Sequence, residues 1–395
     1  MIQPAWPRQA LPYLLALALA WLIFWPAFDQ ASRKSNDVEK HLVFAQRMKT
    51  EGFLPNVLHF FYHLLVIAAD ETLPSAPPMT LALLPMLLAN ALLALGLLHL
   101  LKDAGANGTL ALGLTLLLLI FAPIMLGTLD GGLLALGYLH PTVYHNPTQQ
   151  LLRLFALPLS LFALRALQPR PHASAAQRWG LALLCAVLVI LLSLSKPNYT
   201  LALLPTLGLM GAYRLWKRQP LDWPLLLSLV VPALAMLGMQ FISTFGVTDD
   251  HVTLSWLGFY STRGLSAADV LLMLLLSAAF PLAVLALHGR QAWADPYLRL
   301  SWISFAFGAA FAYFVHEGKR MTDGNFVWGG YVTLFLLICA SVVFILRTYQ
   351  VYFAALRWHS LRAWWQGAPP RLKIILLVFG AHAVSSIRYY LLWLT

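Results

Sequence analysis

Apolar runs long enough to cross a bilayer recur along all 395 residues, and no other feature limits the fold so strongly. About 20 helical residues cross roughly 30 Å of hydrocarbon. Eleven stretches approach that length: about 11–28, 79–101, 109–129, 151–167, 179–195, 199–213, 224–245, 267–287, 300–316, 327–347 and 373–392. In hydrocarbon a helix satisfies its own backbone, whereas an open sheet edge does not. The expected fold is all-α: a polytopic membrane helical bundle of about 11 transmembrane helices, one transmembrane domain over 1–395. With 60% hydrophobic and 10% charged residues, the chain is far from a soluble domain, which carries about 25% charged residues.

The first run has only Arg8 before it and no small-x-small cleavage site, so it is expected to remain as the first helix. Cys185 and Cys339 sit inside apolar runs without disulfide or metal spacing, as small core residues do. Runs 179–195 and 199–213 are separated only by Lys196-Pro197-Asn198. Unpaired backbone at that depth is tolerated where protein or a water-filled cavity surrounds it.

Charge is sorted between the two sets of loops. With the N-terminus in the cytoplasm, one set collects 15 basic residues against three acids, Asp103, Asp222 and Asp295. The other set holds the remaining 11 basic residues and 12 acids. Basic residues favour the cytoplasmic side, so the sequence predicts a multi-pass inner (plasma) membrane protein whose working face is periplasmic or extracellular. The net charge of +11 then reflects topology and membrane lipids with anionic headgroups, and no nucleic-acid partner is expected.

The outer set carries the chemistry-bearing side chains. In the first outer loop, 29–78, Val38, Leu42, Ala45 and Met48 or Lys49 share one helical stripe. Asp37, Lys40 and His41 fall on another face, which describes an amphipathic surface helix ended by Gly52 and Pro55. A second apolar stretch, 54–69, is too short to span and is expected to dip into the interface. Asp37 beside His41 can accept a proton from an acceptor hydroxyl; the same pattern also describes a solvated helix face. His59 and His63 in the second stretch have i, i+4 ligand spacing, which packing produces equally, so a metal is left open.

Three more outer segments stand out. Tyr138-Leu-His140-Pro-Thr-Val-Tyr144-His145-Asn146-Pro147-Thr148, after Asp130-Gly131-Gly132, combines aromatic faces with polar tips. That suits sugar rings, and it suits a membrane-interface belt as well. Lys196 must reach water or an anion, by snorkelling or by holding a phosphate. The stretch His316-Glu317-Gly318-Lys319-Arg320 to Asp323-Gly324-Asn325 is the densest polar cluster between two runs. There Arg320 can bind phosphate oxygens bidentately with Lys319 as a second charge. Glu317 and Asp323 either hold these cations in place or bind a divalent cation, so the cofactor is open. The loop 246–266 adds Asp249, Asp250, His251 and Arg263.

In layout, the chain resembles the GT-C class of integral membrane glycosyltransferases. Those proteins have about eleven to thirteen spans, a long first outer loop with surface helices and an acid soon after the first span. Asp37 in Ser35-Asn36-Asp37-Val38-Glu39 stands at that place, and Gly52-Phe-Leu-Pro55 with the aromatic stretch His59 to His63 resembles the segment after the acid. The resemblance implies Asp37 as general base, with His41 beside it. It also implies donor-phosphate ligands among Lys196, Lys319, Arg320 and Arg263, and substrate contacts from Tyr144, His145, Asn146, Glu317, Asp323 and Asn325. The donor would be a lipid-linked sugar on polyprenyl phosphate and the acceptor a glycan or lipid, in cell-envelope synthesis. The chain departs from the class in lacking Asp-x-Asp and a large C-terminal outer domain. A polysaccharide polymerase or ligase acting on pyrophosphate-linked glycan, and a lipid or glycolipid flippase, remain as alternatives.

Overall fold

The computed structural model describes residues 6–35, 37–52, 59–126, 137–169, 174–246, 249–356 and 360–395, with side chains from residue 10 onward. Asn36, residues 53–55 and the glycine pair after Asp130 lie outside them, as does Asp130 itself. Nearly all of the described chain is helical: α1 (Trp6–Lys34), α2 (Asp37–Glu51), α3 (Phe61–Thr72), α4 (Pro78–Asp103), α5 (Gly108–Leu119), α6 (Pro147–Leu167), α7 (Ala175–Ser195), α8 (Asn198–Trp216) and α9 (Trp223–Phe245). Then follow α10 (Gly258–Thr262), α11 (Ala267–Ser277), α12 (Ala279–His288), α13 (Arg290–Ala294), α14 (Pro296–Phe314), α15 (Val327–Thr348), α16 (Gln350–Ala354), α17 (Leu361–Gly367) and α18 (Pro370–Leu394).

Among the described residues, seven helices are long and apolar enough to cross a membrane: α1, α4, α6, α7, α9, α15 and α18. An eighth span arises if α11 and α12, bent by 67° at their junction, count as one. The expected runs 109–129, 199–213 and 300–316 do contain helices, α5, α8 and α14, but these fall outside that set. The sequence count of about eleven is therefore not reached on length and hydropathy.

Helix starts follow their caps. The Asn146 side chain accepts the Gln149 N–H ahead of Pro147 at the first turn of α6. Ser174 and Gln177 cap each other at α7, and Asp295 caps α14 ahead of Pro296. Burial sorts centre from periphery: the apolar window of α15 is 94% buried, whereas those of α1, α9 and α18 are each 28% buried. The central pair is α14 and α15, where a Cβ on Gly308 would come within 2.9 Å of the Gly329 carbonyl oxygen. Small residues permit that approach between backbones.

One feature was not expected from the sequence. A short antiparallel ribbon pairs β1 (Val252–Leu254) with β2 (Val315–Glu317), in the register Val252–Glu317, Thr253–His316 and Leu254–Val315. It ties the loop after α9 to the end of α14, and so brings Asp249 and Asp250 beside Lys319 and Arg320.

Candidate functional site

The surface helix forms as its sequence predicts. Val38, Ala45 and Met48 of α2 are buried, Leu42 is half-buried, and Gly52 follows the helix at φ +84°. Its polar face is divided between two partners. Asp37 Oδ2 lies 4.0 Å from His145 Nε2, whereas His41 Nδ1 lies 2.9 Å from His63 Nε2 on α3. The expected Asp37–His41 pair is thus not formed, because α3 and the loop before α6 compete for the two side chains. His59 precedes α3, so the expected His59–His63 pair does not sit on one helix.

Of these groups His41, His59 and His63 border a cavity of about 1180 Å³, whose lining includes neither Asp37 nor His145. His41, His59 and His63 line one side, Lys196 and Asn198 the floor between α7 and α8, and Glu317, Lys319, Arg320 and Asn325 a third wall. The fourth wall is largely apolar and follows α9 from Leu234 to Phe245, roughly 16 Å at 1.5 Å per residue. Leu234, Phe241 and Ile242 line the cavity yet are 57, 57 and 67% exposed, so the cavity opens sideways between α9 and the neighbouring α8 and α14. An exposed apolar flank beside a polar head has the form of a site for a charged lipid.

Lys196 is only 7% exposed and does not snorkel. Its ammonium lies 4.1 Å from the Trp328 ring centre and 3.4 Å from both Asn146 Oδ1 and Thr148 Oγ1. Burial lowers its pKa from the usual lysine range to about 7, and the nearby Asp37 carboxylate opposes that shift. Burial also lowers His41 and His59 to about 3 and His63 to about 4, so all three imidazoles are neutral at pH 7. His145 is pulled down by burial and up by Asp37, and its ring stacks 6.0 Å from Trp393.

The other two cations are already compensated. Arg320 Nε lies 3.3 Å from Asp250 Oδ2 and 3.2 Å from Glu317 Oε2, and Lys319 Nζ lies 3.6 Å from Asp249 Oδ2. Glu317 also accepts from Asn325 Nδ2 at 2.6 Å, while burial raises its pKa. The backbone N–H of Lys319 donates to Asp250 and is the main cause that lowers this carboxyl's pKa. Among the cavity-lining residues, three cations thus face three carboxylates, and Lys196 is the cation with no carboxylate within 4 Å.

Several expected site residues lie elsewhere. Arg263 donates to the Thr322 carbonyl and rests on Phe259, and neither it nor Asp323 lines the cavity. Tyr144 is fully buried in an aromatic cluster with Tyr389 and Trp393, and Asn146, a helix cap outside the lining, reaches the site only through Lys196. The apolar wall is not evident from sequence, because α9 reads as lipid-facing throughout. Its signal was Gln240, Ser243 and Thr244, at i, i+3 and i+4 on one side of an apolar helix.

Among the described residues, no group of three or more His, Cys, Asp or Glu side chains is placed to hold a metal ion. The chain matches no protein-family model, no curated protein and no solved structure. Function has to be argued from the chemistry of the site.

Proposed function

We propose that the protein is a GT-C-like membrane glycosyltransferase that transfers a sugar from a polyprenyl-phosphate donor to a glycan or lipid acceptor at the periplasmic or extracellular face. In this reading the N-terminus is cytoplasmic. The chain crosses the inner membrane about eleven times, counting α5, α8, α14 and the bent α11–α12 pair with the seven long helices. The observation that carries the reading is the laterally open cavity, whose apolar α9 wall leads to Lys196.

The donor's polyprenyl tail lies along Leu234, Leu237 and Phe241, and its phosphate takes Lys196 as counter-ion with Arg320 at the rim. Asp37, near Lys196 and 4.0 Å from His145, removes the proton from the acceptor hydroxyl. The acceptor oxygen bonds to the anomeric carbon as the bond to the phosphate oxygen breaks. Its electron pair leaves with polyprenyl phosphate, whose added negative charge Lys196 stabilises. His41 bonds His63 and shapes the wall without transferring a proton.

The test is transfer from a polyprenyl-phosphate sugar by the purified protein in proteoliposomes. Asp37→Asn is expected to lower turnover about 100-fold or more, the lower bound for a general base, while donor binding persists. Unchanged turnover removes Asp37 from the mechanism. Activity only with a pyrophosphate-linked oligosaccharide identifies a polymerase or ligase. Movement of labelled donor between leaflets without transfer identifies a flippase, which the same sideways opening would serve.

A further inference from the structure

A second polar cluster lies inside the bundle, apart from the cavity. Arg153 of α6 is fully buried. Its Nη2 donates to the Leu119 carbonyl at 3.1 Å and its guanidinium lies 4.7 Å from the Phe335 ring centre, while Nε and Nη1 have no partner. No carboxylate among the described residues lies within ion-pair distance of it.

Buried polar groups on the neighbouring turns share this condition. Gln149 stands one turn before Arg153 on the same helix face, is fully buried, and has no partner for its side-chain amide. Thr115 stands one turn before Leu119 on α5, and its buried hydroxyl is unpartnered. Tyr144, within electrostatic reach of Arg153, also has a buried hydroxyl with no partner. Buried polar groups in folded proteins are almost always satisfied, and an exception calls for a bound water or ion. Water can satisfy donors but leaves the guanidinium charge unbalanced, and a buried unpaired charge is the costlier defect.

We propose that the bundle interior binds a monovalent inorganic anion of the halide class, held by Arg153 with Gln149, Tyr144 and Thr115 as further donors. The ion balances the guanidinium and links α5 to α6 through the donors on each. Its role is separate from the lipid cavity, whose lining includes none of these residues.

The probe is chloride against gluconate at equal ionic strength, read as the thermal unfolding midpoint of the purified protein in detergent. A saturable upward shift with chloride is expected for the wild type and is lost in Arg153→Gln. Equal midpoints in the two anions overturn the proposal, and so does a chloride shift that persists in the variant. Should Arg153→Gln fail to fold, bromide-grown crystals decide: an anomalous peak beside Arg153 supports the site, and its absence refutes it.

Discussion

His41 Nδ1 and His63 Nε2 lie 2.9 Å apart, and two turns further along Lys49 Nζ meets Asp70 Oδ2 at 2.5 Å. The two contacts fasten α2 to α3 and fix the imidazole wall of the cavity. One ring donates and the other, necessarily uncharged, accepts, and burial keeps both rings neutral at pH 7.

Burial of the two rings gives a pH dependence. The folded values of about 3 and about 4 lie below the ordinary 6.5, so the unfolded chain binds more protons between these limits. Stability from this pair is therefore fully present above pH 6.5 and falls as pH drops toward 4. His63→Phe should flatten part of that slope in thermal unfolding between pH 4 and 7.5. It should also cost about 1–3 kcal/mol, because a buried nitrogen of His41 loses its partner. Parallel slopes in the two proteins would rule out the pair as their source.

Lys196 works in another window. Its folded value of about 7 lies below the ordinary 10.5, so between these limits the unfolded chain holds the extra proton and stability rises with pH. The ligand-free protein should gain thermal stability from pH 7 to pH 10, and Lys196→Met should lose that gain. A bound phosphate favours the charged ammonium and should shrink the slope. A slope retained in Lys196→Met would place its origin elsewhere.

Removing one acid from the cavity should favour an anionic ligand. Glu317 shares Arg320 with Asp250, and Glu317→Gln leaves the cation with one carboxylate while its amide can still accept from Asn325. Arg320 is about half exposed, so the gain is screened to about 1 kcal/mol or less. Polyprenyl phosphate should bind the variant up to about fivefold more tightly in a titration, and the difference should narrow in high salt. Weaker binding would mean that Glu317 itself contacts the ligand.

The contact between α14 and α15 holds the centre of the bundle, and Gly329 there packs against the backbone of Asn198. A Cβ at Gly308 would collide with Thr333 Oγ1, whose hydroxyl donates to the Gly329 carbonyl. Gly308→Ala should cost about 1–3 kcal/mol through overpacking, read as a lower unfolding midpoint. Gly113 has open space around it, so Gly113→Ala should show no such loss. Equal midpoints for the two variants would mean that the helix pair yields.

Much of this architecture was legible from local pattern. The long apolar runs specify spanning helices because lipid offers the backbone no other partner. The stripe of Val38, Leu42, Ala45 and Met48 specifies α2 because a helix repeats its face every three to four residues. The sequence also placed Lys196, Glu317, Lys319, Arg320 and Asn325 among the residues to watch, and the cavity collects all five. It could not separate them from Arg263 and Asp323, which share the same loops and composition but point elsewhere.

What only the tertiary structure decided was who meets whom. Asp37 faces His145 rather than His41, and His41 turns to His63, because helix packing sets contacts across 108 and 22 residues of chain. Periodicity is a property of one element, whereas a cavity is a gap between several. The sideways opening at α9 and the compensation of Arg320 by Asp250 depend on how α8, α14 and the β1–β2 ribbon pack, and packing of distant elements leaves no mark on local spacing.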